Sequence, residues 1–202
     1  RYVKDIEARE DGGTPPFLQS IKAALAFQLK AKMDPAKMYA REEELLARLF
    51  PLLEKIDGLI IMAAEHKKRL GVISFIIPGL HYNLAVQLLN DRFGIQTRGG
   101  CACAGTYGHY LLNIDRGTSS TIETEILSGN LMRRPGFIRL SIHPTWLDEE
   151  VTVVADAIRQ VVENHEEWGK DYSYHADTNE FVHWNTATYT RQTTMVDSWF
   201  RL

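Results

Sequence analysis

The stretch Gly71-Val72-Ile73-Ser74-Phe75-Ile76-Ile77-Pro78-Gly79-Leu80-His81 decides how this chain folds. Its first part is rich in β-branched and aromatic residues and is stopped by Pro78-Gly79, so it predicts a strand over Gly71–Ile77. Past His81 the apolar spacing changes. Leu84, Leu88 and Leu89 predict an inward helix face from about His81 to Phe93, with Gly94 in the usual C-terminal stop position. Upstream, Gly58-Leu59-Ile60-Ile61-Met62 predicts a partner strand, joined through the polar turn His66-Lys67-Lys68-Arg69 as a hairpin. Further out, Gly12-Gly13-Thr14-Pro15-Pro16 precedes a helix over Phe17–Met33, its two prolines expected in the first turn. Asp34-Pro35 then caps a second helix to about Lys55. Its apolar face is Leu45, Leu46, Leu49, Leu52, Leu53 and Ile56, and Pro51 is expected to kink or break it. On the other side, a short strand Ile95–Arg98 leads into the small-residue loop Arg98–Tyr110. A helix over Ser119–Leu131, a strand Gly136–Ile142 and a helix Asp148–His165 follow, the last with Val151, Val154, Ala155, Ile158 and Val162 inward. This order predicts an α+β fold: a small, mostly antiparallel sheet with helices packed on one face.

The bulk composition narrows the function classes. The chain has 202 residues, 45% hydrophobic and 24% charged, with net charge -3. A slightly acidic chain argues against binding nucleic acid or an anionic membrane surface. No apolar run is long enough to span a bilayer, and no signal peptide opens the chain. The 2 cysteines, Cys101 and Cys103, cannot build a disulfide framework, so a reducing, cytoplasmic compartment is expected. A chain that opens at Arg1 on charged residues and a Gly-Gly-Thr-Pro-Pro turn is expected to be a fragment or an excised domain. Residues 1–165 are expected to form one small domain with a long linking helix at its start. Residues 166–202 form an aromatic extension with Trp168, Tyr172, Tyr174, Trp184, Tyr189, Trp199 and Phe200. Such aromatic density is expected to pack on the domain or on a partner.

Few residues invite chemistry. Cys101-Ala102-Cys103 lies in a glycine-flanked loop close in sequence to Arg98. A thiol beside a fixed positive charge is a better nucleophile. The competing reading is two small hydrophobes in a tight loop. A metal reading is weaker, since two cysteines fall short of the four ligands a zinc site takes, even with His81 or His109 added; no metal is expected. A disulfide across Cys-x-Cys would be strained. Arg139 alternates with Ile138 and Leu140 and so faces the other side of its strand. It is either a solvent-face or salt-bridge residue, or a fork for a substrate carboxylate. Thr14 is a helix N-cap candidate, and its hydroxyl would also suit a phosphate.

Four segments, in order, resemble the C-terminal portion of the cysteine desulfurase family, which belongs to the class V aminotransferases with the type I fold of pyridoxal-phosphate (PLP) enzymes. Asp11-Gly12-Gly13-Thr14-Pro15-Pro16 resembles the segment before the family's long helix. Arg69–Phe75 with Gly79-Leu80-His81 resembles its R-x-G-I-V-S-F strand and helix start. Gly94–Cys103 resembles its G-I-x-x-R-x-G-x-x-C segment, and Ile138–Ile142 its x-R-x-S strand. The resemblance covers about residues 10 to 165. It implies that Thr14 reaches the PLP phosphate of a partner subunit, that Cys103 takes sulfur from the substrate, and that Arg139 holds the substrate carboxylate. Arg98 matches the loop arginine before the cysteine and is grouped with the substrate-binding residues, its individual role open.

The chain departs from the family pattern in two places. Cys101-Ala102 stands where histidines often precede the family's cysteine, and the R-x-G-C-x-C form is more similar to molybdenum cofactor sulfurases. The Schiff-base lysine, which in the family follows Ser-x-His, is missing. Ala64-Glu65-His66-Lys67 lacks the serine and runs into the Arg69 strand, so Lys67 is rejected for that role. The resemblance therefore implies the C-terminal domain of a PLP-dependent cysteine desulfurase or selenocysteine lyase-like enzyme, inactive by itself. Its expected partners are a small amino-acid substrate, a sulfur-acceptor protein and a second subunit in a homodimer. The alternatives are a class V aminotransferase or lyase without a sulfur step, and a non-catalytic interaction domain.

Overall fold

In the computed structural model, residues 2–101, 103, 105–185 and 194–200 are described. Tyr189, counted above with the aromatic extension, and Ala102 of the cysteine loop lie outside them. The chain divides into two units, Arg1–Ala40 and Arg41–Leu202, each described by itself.

In the larger unit four short strands, β1 (Ile60–Ile61), β2 (Val72–Ile76), β3 (Arg98–Gly100) and β4 (Phe137–Ser141), form an antiparallel sheet in the order β1-β2-β4-β3. The expected hairpin pairs Ile60 with Ile76 and Ile61 with Phe75. β1 is shorter than the predicted Gly58–Met62 because Gly58, at φ 85°, belongs to the preceding turn; the Met62 amide still donates to the Ser74 carbonyl at 2.8 Å. β4 sits between β2 and β3, with Ser74 opposite Arg139 and Phe75 opposite Ile138. Alternation then sends Ile73, Phe75, Ile138 and Leu140 to one face, where all four are buried.

That face is covered by α3 (Pro35–Glu54), α4 (Tyr82–Phe93) and α7 (Asp148–Trp168). The buried stripe of α3 is Leu45, Leu46, Leu49, Phe50 and Leu53, close to the predicted one, with Leu52 at its margin. α7 contributes Val151, Val154, Ala155, Ala157, Ile158 and Val161. Each fully buried leucine or isoleucine here adds ~2 kcal/mol of apolar transfer energy. Pro51 does not break α3. It stands on the exposed face of the last turn, where the bond it cannot make would have gone to the exposed Ala47. α4 is capped at its start by His81, whose Nδ1 accepts from the Asn83 amide at 3.1 Å, and stopped by Gly94 at φ 68°.

Two corrections lie beyond the sheet. The stretch predicted as loop, Arg98–Tyr110, holds strand β3 and a short helix, α5 (Gly105–Leu111). Of its glycines, Gly99 and Gly100 are strand residues: Gly99 is kept small by the Tyr82 ring and the Asn83 side chain, and Gly100 stands at φ 113°. The helix predicted over Ser119–Leu131 is α6 (Arg116–Leu127). It starts early because Asp115 caps it, accepting from the Thr118 amide at 2.7 Å, and stops before Gly129 at φ 87°. Beyond α7, β5 (Tyr172–His175) and β6 (Glu180–His183) pair as a hairpin, and the Tyr172 hydroxyl donates to Asp91 of α4 at 2.9 Å.

The smaller unit holds α1 (Ile6–Glu10) and α2 (Phe17–Lys32), neither with a buried residue. Pro16 occupies the N-cap position of α2 without a side-chain bond, so the prolines precede the helix instead of entering its first turn, and Thr14 is not its cap. The Gly13 amide instead donates to Asp11 Oδ1 at 3.1 Å, an Asx turn ahead of the prolines.

Candidate active site

The register of the sheet brings Arg98 and Arg139, both grouped with the substrate-binding residues on resemblance, together. They face each other directly across the β3–β4 pair, with Ser74 on the far side of Arg139. Opposed residues of an antiparallel pair share a face, so both arginines project from the side of the sheet away from Ile138 and Leu140, as the alternation predicted for Arg139. Two like charges in this position repel. Among the described residues neither has an ion-pair partner, and the half-buried Arg139 has its Nε enclosed without a hydrogen bond. A buried, unsatisfied guanidinium nitrogen is costly unless an anion meets it. Two forks on one face suit a carboxylate.

The same strand delivers the cysteines. β3 ends at Gly100, and Cys101 and Cys103 follow before α5 begins at Gly105. Both thiols are free. Cys101 is half-buried and Cys103 is exposed. Cys103 adopts φ 60°, a conformation uncommon outside glycine and one often found where a side chain is held out for use. Cys101 lines a cavity of about 330 Å³ with Gly108, His109, Leu112, Ile122 and Ile126. Among the described residues no three His, Cys, Asp or Glu side chains come together as a metal site.

Sequence reading missed Tyr82. Its ring, 7% exposed, lies under the glycines of β3 and before β4. A β-carbon at Gly99 would sit 2.8 Å from Tyr82 Cδ2, and one at Gly136 would sit 2.5 Å from Tyr82 Cε1. Gly99 and Gly136, whose β-carbon positions meet the ring, were the available signal. Burial raises the Tyr82 phenol above its ordinary value, while the Asn179 hydrogen bond and the nearby Arg134 pull it down.

Lys67 is ion-paired with Glu54 at 2.6 Å and stands over the Phe50 ring. Thr14 is exposed in the smaller unit.

Comparison with known proteins gives this chain a family. A probable cysteine desulfurase of Xylella fastidiosa is 34% identical over 94 residues, which cover 46% of this chain and 22% of that protein. A probable cysteine desulfurase of Staphylococcus epidermidis is 29% identical over 101 residues, 50% of this chain and 24% of that protein. The chain thus spans about a quarter of the length of these curated relatives. The fold is similar to that of the apo cysteine desulfurase of Thermococcus onnurineus NA1, with TM-score 0.54 and 21% identity over 77% of this chain and 34% of that one. It is also similar to the cysteine desulfurase CsdA of Escherichia coli, with TM-score 0.51 and 19% identity over 76% of this chain and 32% of that one. Residues 1–154 match the family described as Aminotransferase class-V, so the chain belongs to the class V aminotransferase family.

Proposed function

We propose that this chain supplies the substrate clamp and the sulfur-carrying thiol of a PLP-dependent cysteine desulfurase or selenocysteine lyase-like enzyme. The observation that carries the reading is the Arg98–Arg139 pair, two opposed guanidinium groups without a described acidic partner, on the strand that runs into the cysteine loop. Its residues fit the substrate half of a PLP site. The guanidinium pair takes the carboxylate of an amino acid, and the Thr14 hydroxyl has the chemistry to meet a phosphate across a homodimer. No lysine in this chain is assigned as covalent anchor, and that role falls to residues outside this sequence. PLP, when bound, supplies an electron sink for bonds at the substrate's α-carbon.

The chain's own residues do the rest. Arg139 and Arg98 hold the carboxylate and aim the substrate's sulfur or selenium toward the loop. The Cys103 thiol, exposed and held out at φ 60°, attacks that atom. A bond forms between Cys103 Sγ and the transferred sulfur while the substrate's carbon–sulfur bond breaks. Cysteine and thiol become alanine and a Cys103 persulfide, with atoms and electrons balanced and no external oxidant. The exposed persulfide is open to an acceptor protein.

The test uses the full-length protein that contains this chain. Its visible absorbance before and after borohydride reports the PLP imine, and mass spectrometry after incubation with cysteine reports the persulfide. Cys103→Ser is expected to abolish persulfide and sulfide release with the cofactor band unchanged. Unchanged sulfide release in that variant overturns the role of Cys103. Alanine formed at the same rate without Cys103 assigns the chain instead to a class V enzyme without a sulfur step.

A further inference from the structure

The β5–β6 hairpin lies outside the family match, which ends at residue 154, yet its turn is bonded to Tyr82 and Asn83 at the start of α4. Its turn carries Asn179, a polar residue only 6% exposed, held at φ 59°. An asparagine buried in a left-handed turn is a specific choice: it tolerates that backbone, and every polar group it brings needs a partner. Both ends of its side chain and its carbonyl find partners. Asn179 Nδ2 donates to the Tyr82 hydroxyl at 2.8 Å, the Tyr174 hydroxyl donates to Asn179 Oδ1 at 3.0 Å, and Asn83 Nδ2 donates to the Asn179 carbonyl. The His81 ring stacks on Tyr82 and lies against Phe181, closing the cluster between α4 and the hairpin.

Tyr82 passes the contact on. Its ring leaves no room for a side chain at Gly99 or Gly136, and Gly100 Cα lies 2.8 Å from where a β-carbon on Gly136 would stand. The ring is thus wedged against the strands whose other face carries Arg98 and Arg139 and whose end is Cys101. Cys101 also lies close enough that its charge would raise the Tyr82 phenol.

We propose that Asn179 is a positioning residue for the cysteine loop, acting through Tyr82: the hairpin turn braces the ring that holds β3 and Cys101 in place. The value of this brace to sulfur transfer rests on the function proposed above, but the brace itself is a property of this chain. Its test therefore needs neither cofactor nor turnover. Iodoacetamide alkylation of Cys101 is followed in the full chain carrying Cys103→Ser, with and without Asn179→Ala. Losing the buried bond is expected to free the strand end and speed Cys101 alkylation about fivefold, the rate equivalent of ~1 kcal/mol. A hairpin that only adds stability would lower the melting temperature and leave the Cys101 rate of the folded chain in place, and an unchanged rate overturns the proposal. Should Asn179→Ala fail to fold, Tyr174→Phe removes only the bond to Asn179 Oδ1. It is expected to change Cys101 in the same direction by a smaller factor, and no change there overturns the proposal equally. Persulfide formation at Cys103 in the full-length protein remains a separate readout, so the functional reading and the brace can fail independently.

Discussion

A single methyl group on Gly136 would sit 2.5 Å from Tyr82 Cε1 and 2.8 Å from the backbone of Gly100. The ring can turn aside at a cost, but the Gly100 backbone belongs to a paired strand and cannot. Gly136→Ala is therefore expected to lower the unfolding free energy by about 2 kcal/mol, as overpacking does in a closed site. Gly105→Ala, at a position with open space around it and in a helix, is expected to stabilise by roughly 0.5 kcal/mol. Urea denaturation of the two variants checks both signs at once. The arginine pair supports an opposite kind of prediction. Arg98 faces Arg139 across the strands, so Arg98→Gln removes a like-charge pair and is expected to stabilise the isolated chain by about 0.5 kcal/mol, a gain that salt reduces. The same variant in the full-length protein is expected to raise KM for the amino acid. A loss of stability in Arg98→Gln would show that the arginine serves the fold and not an anion. Each arginine was legible as a candidate from its place in the sequence. Their pairing was not, because register belongs to two strands and neither strand alone encodes it.

Among the elements, the long periodic ones were read nearly to their ends, since α3, α4 and α7 each carry an apolar stripe that the sheet covers. β3 was displaced, because Gly99 and Gly100 carry no strand propensity; Gly99 is small for the sake of Tyr82, a residue distant in sequence, and Gly100 for its φ of 113°. α5 was missed because the glycines that begin and interrupt it lower its helix propensity. The start of α4 carries its own pH dependence. His81 Nδ1 accepts the Asn83 amide, so the cap requires a neutral imidazole, and burial pushes the group below its ordinary value of 6.5. Tyr82, Tyr174 and Phe181 surround the ring, and Arg133 and Arg134 line the same pocket. The unfolded chain takes up the proton first as pH falls. The stabilisation is thus complete above the unfolded value, declines below it, and is lost once pH passes the lower folded value. The urea midpoint is expected to fall as pH drops below the ordinary value of 6.5, and His81→Asn, which keeps a capping oxygen without titrating, is expected to flatten that decline. An identical pH profile in the variant would remove His81 from the account.

At the scale of the whole chain, the two units differ in what holds them. The larger unit buries a continuous core between sheet and helices, and its α+β class was legible because the order of strand and helix signals leaves few ways to cover one sheet. The smaller unit has no such core. α2 shows the spacing of an amphipathic helix, and that spacing predicted the helix correctly, yet Ile21 and Leu25 are 55% and 58% exposed and none of its residues is buried. Periodicity reports that a face is apolar; it does not report what covers that face. A helix of this length without packing is marginal in water, because nucleation is costly and propensity alone repays little of it. Amide hydrogen exchange of the chain by itself is therefore expected to separate the units sharply. Amides in residues 17–32 should exchange near the rate of an open helix, while those of β2, β4 and the buried turns of α7 should be protected close to the global unfolding free energy. Slow exchange over 17–32 that weakens on dilution would show that copies of the chain cover the apolar face of α2 for one another. Slow exchange independent of concentration would show that α2 is held within a single copy of the chain.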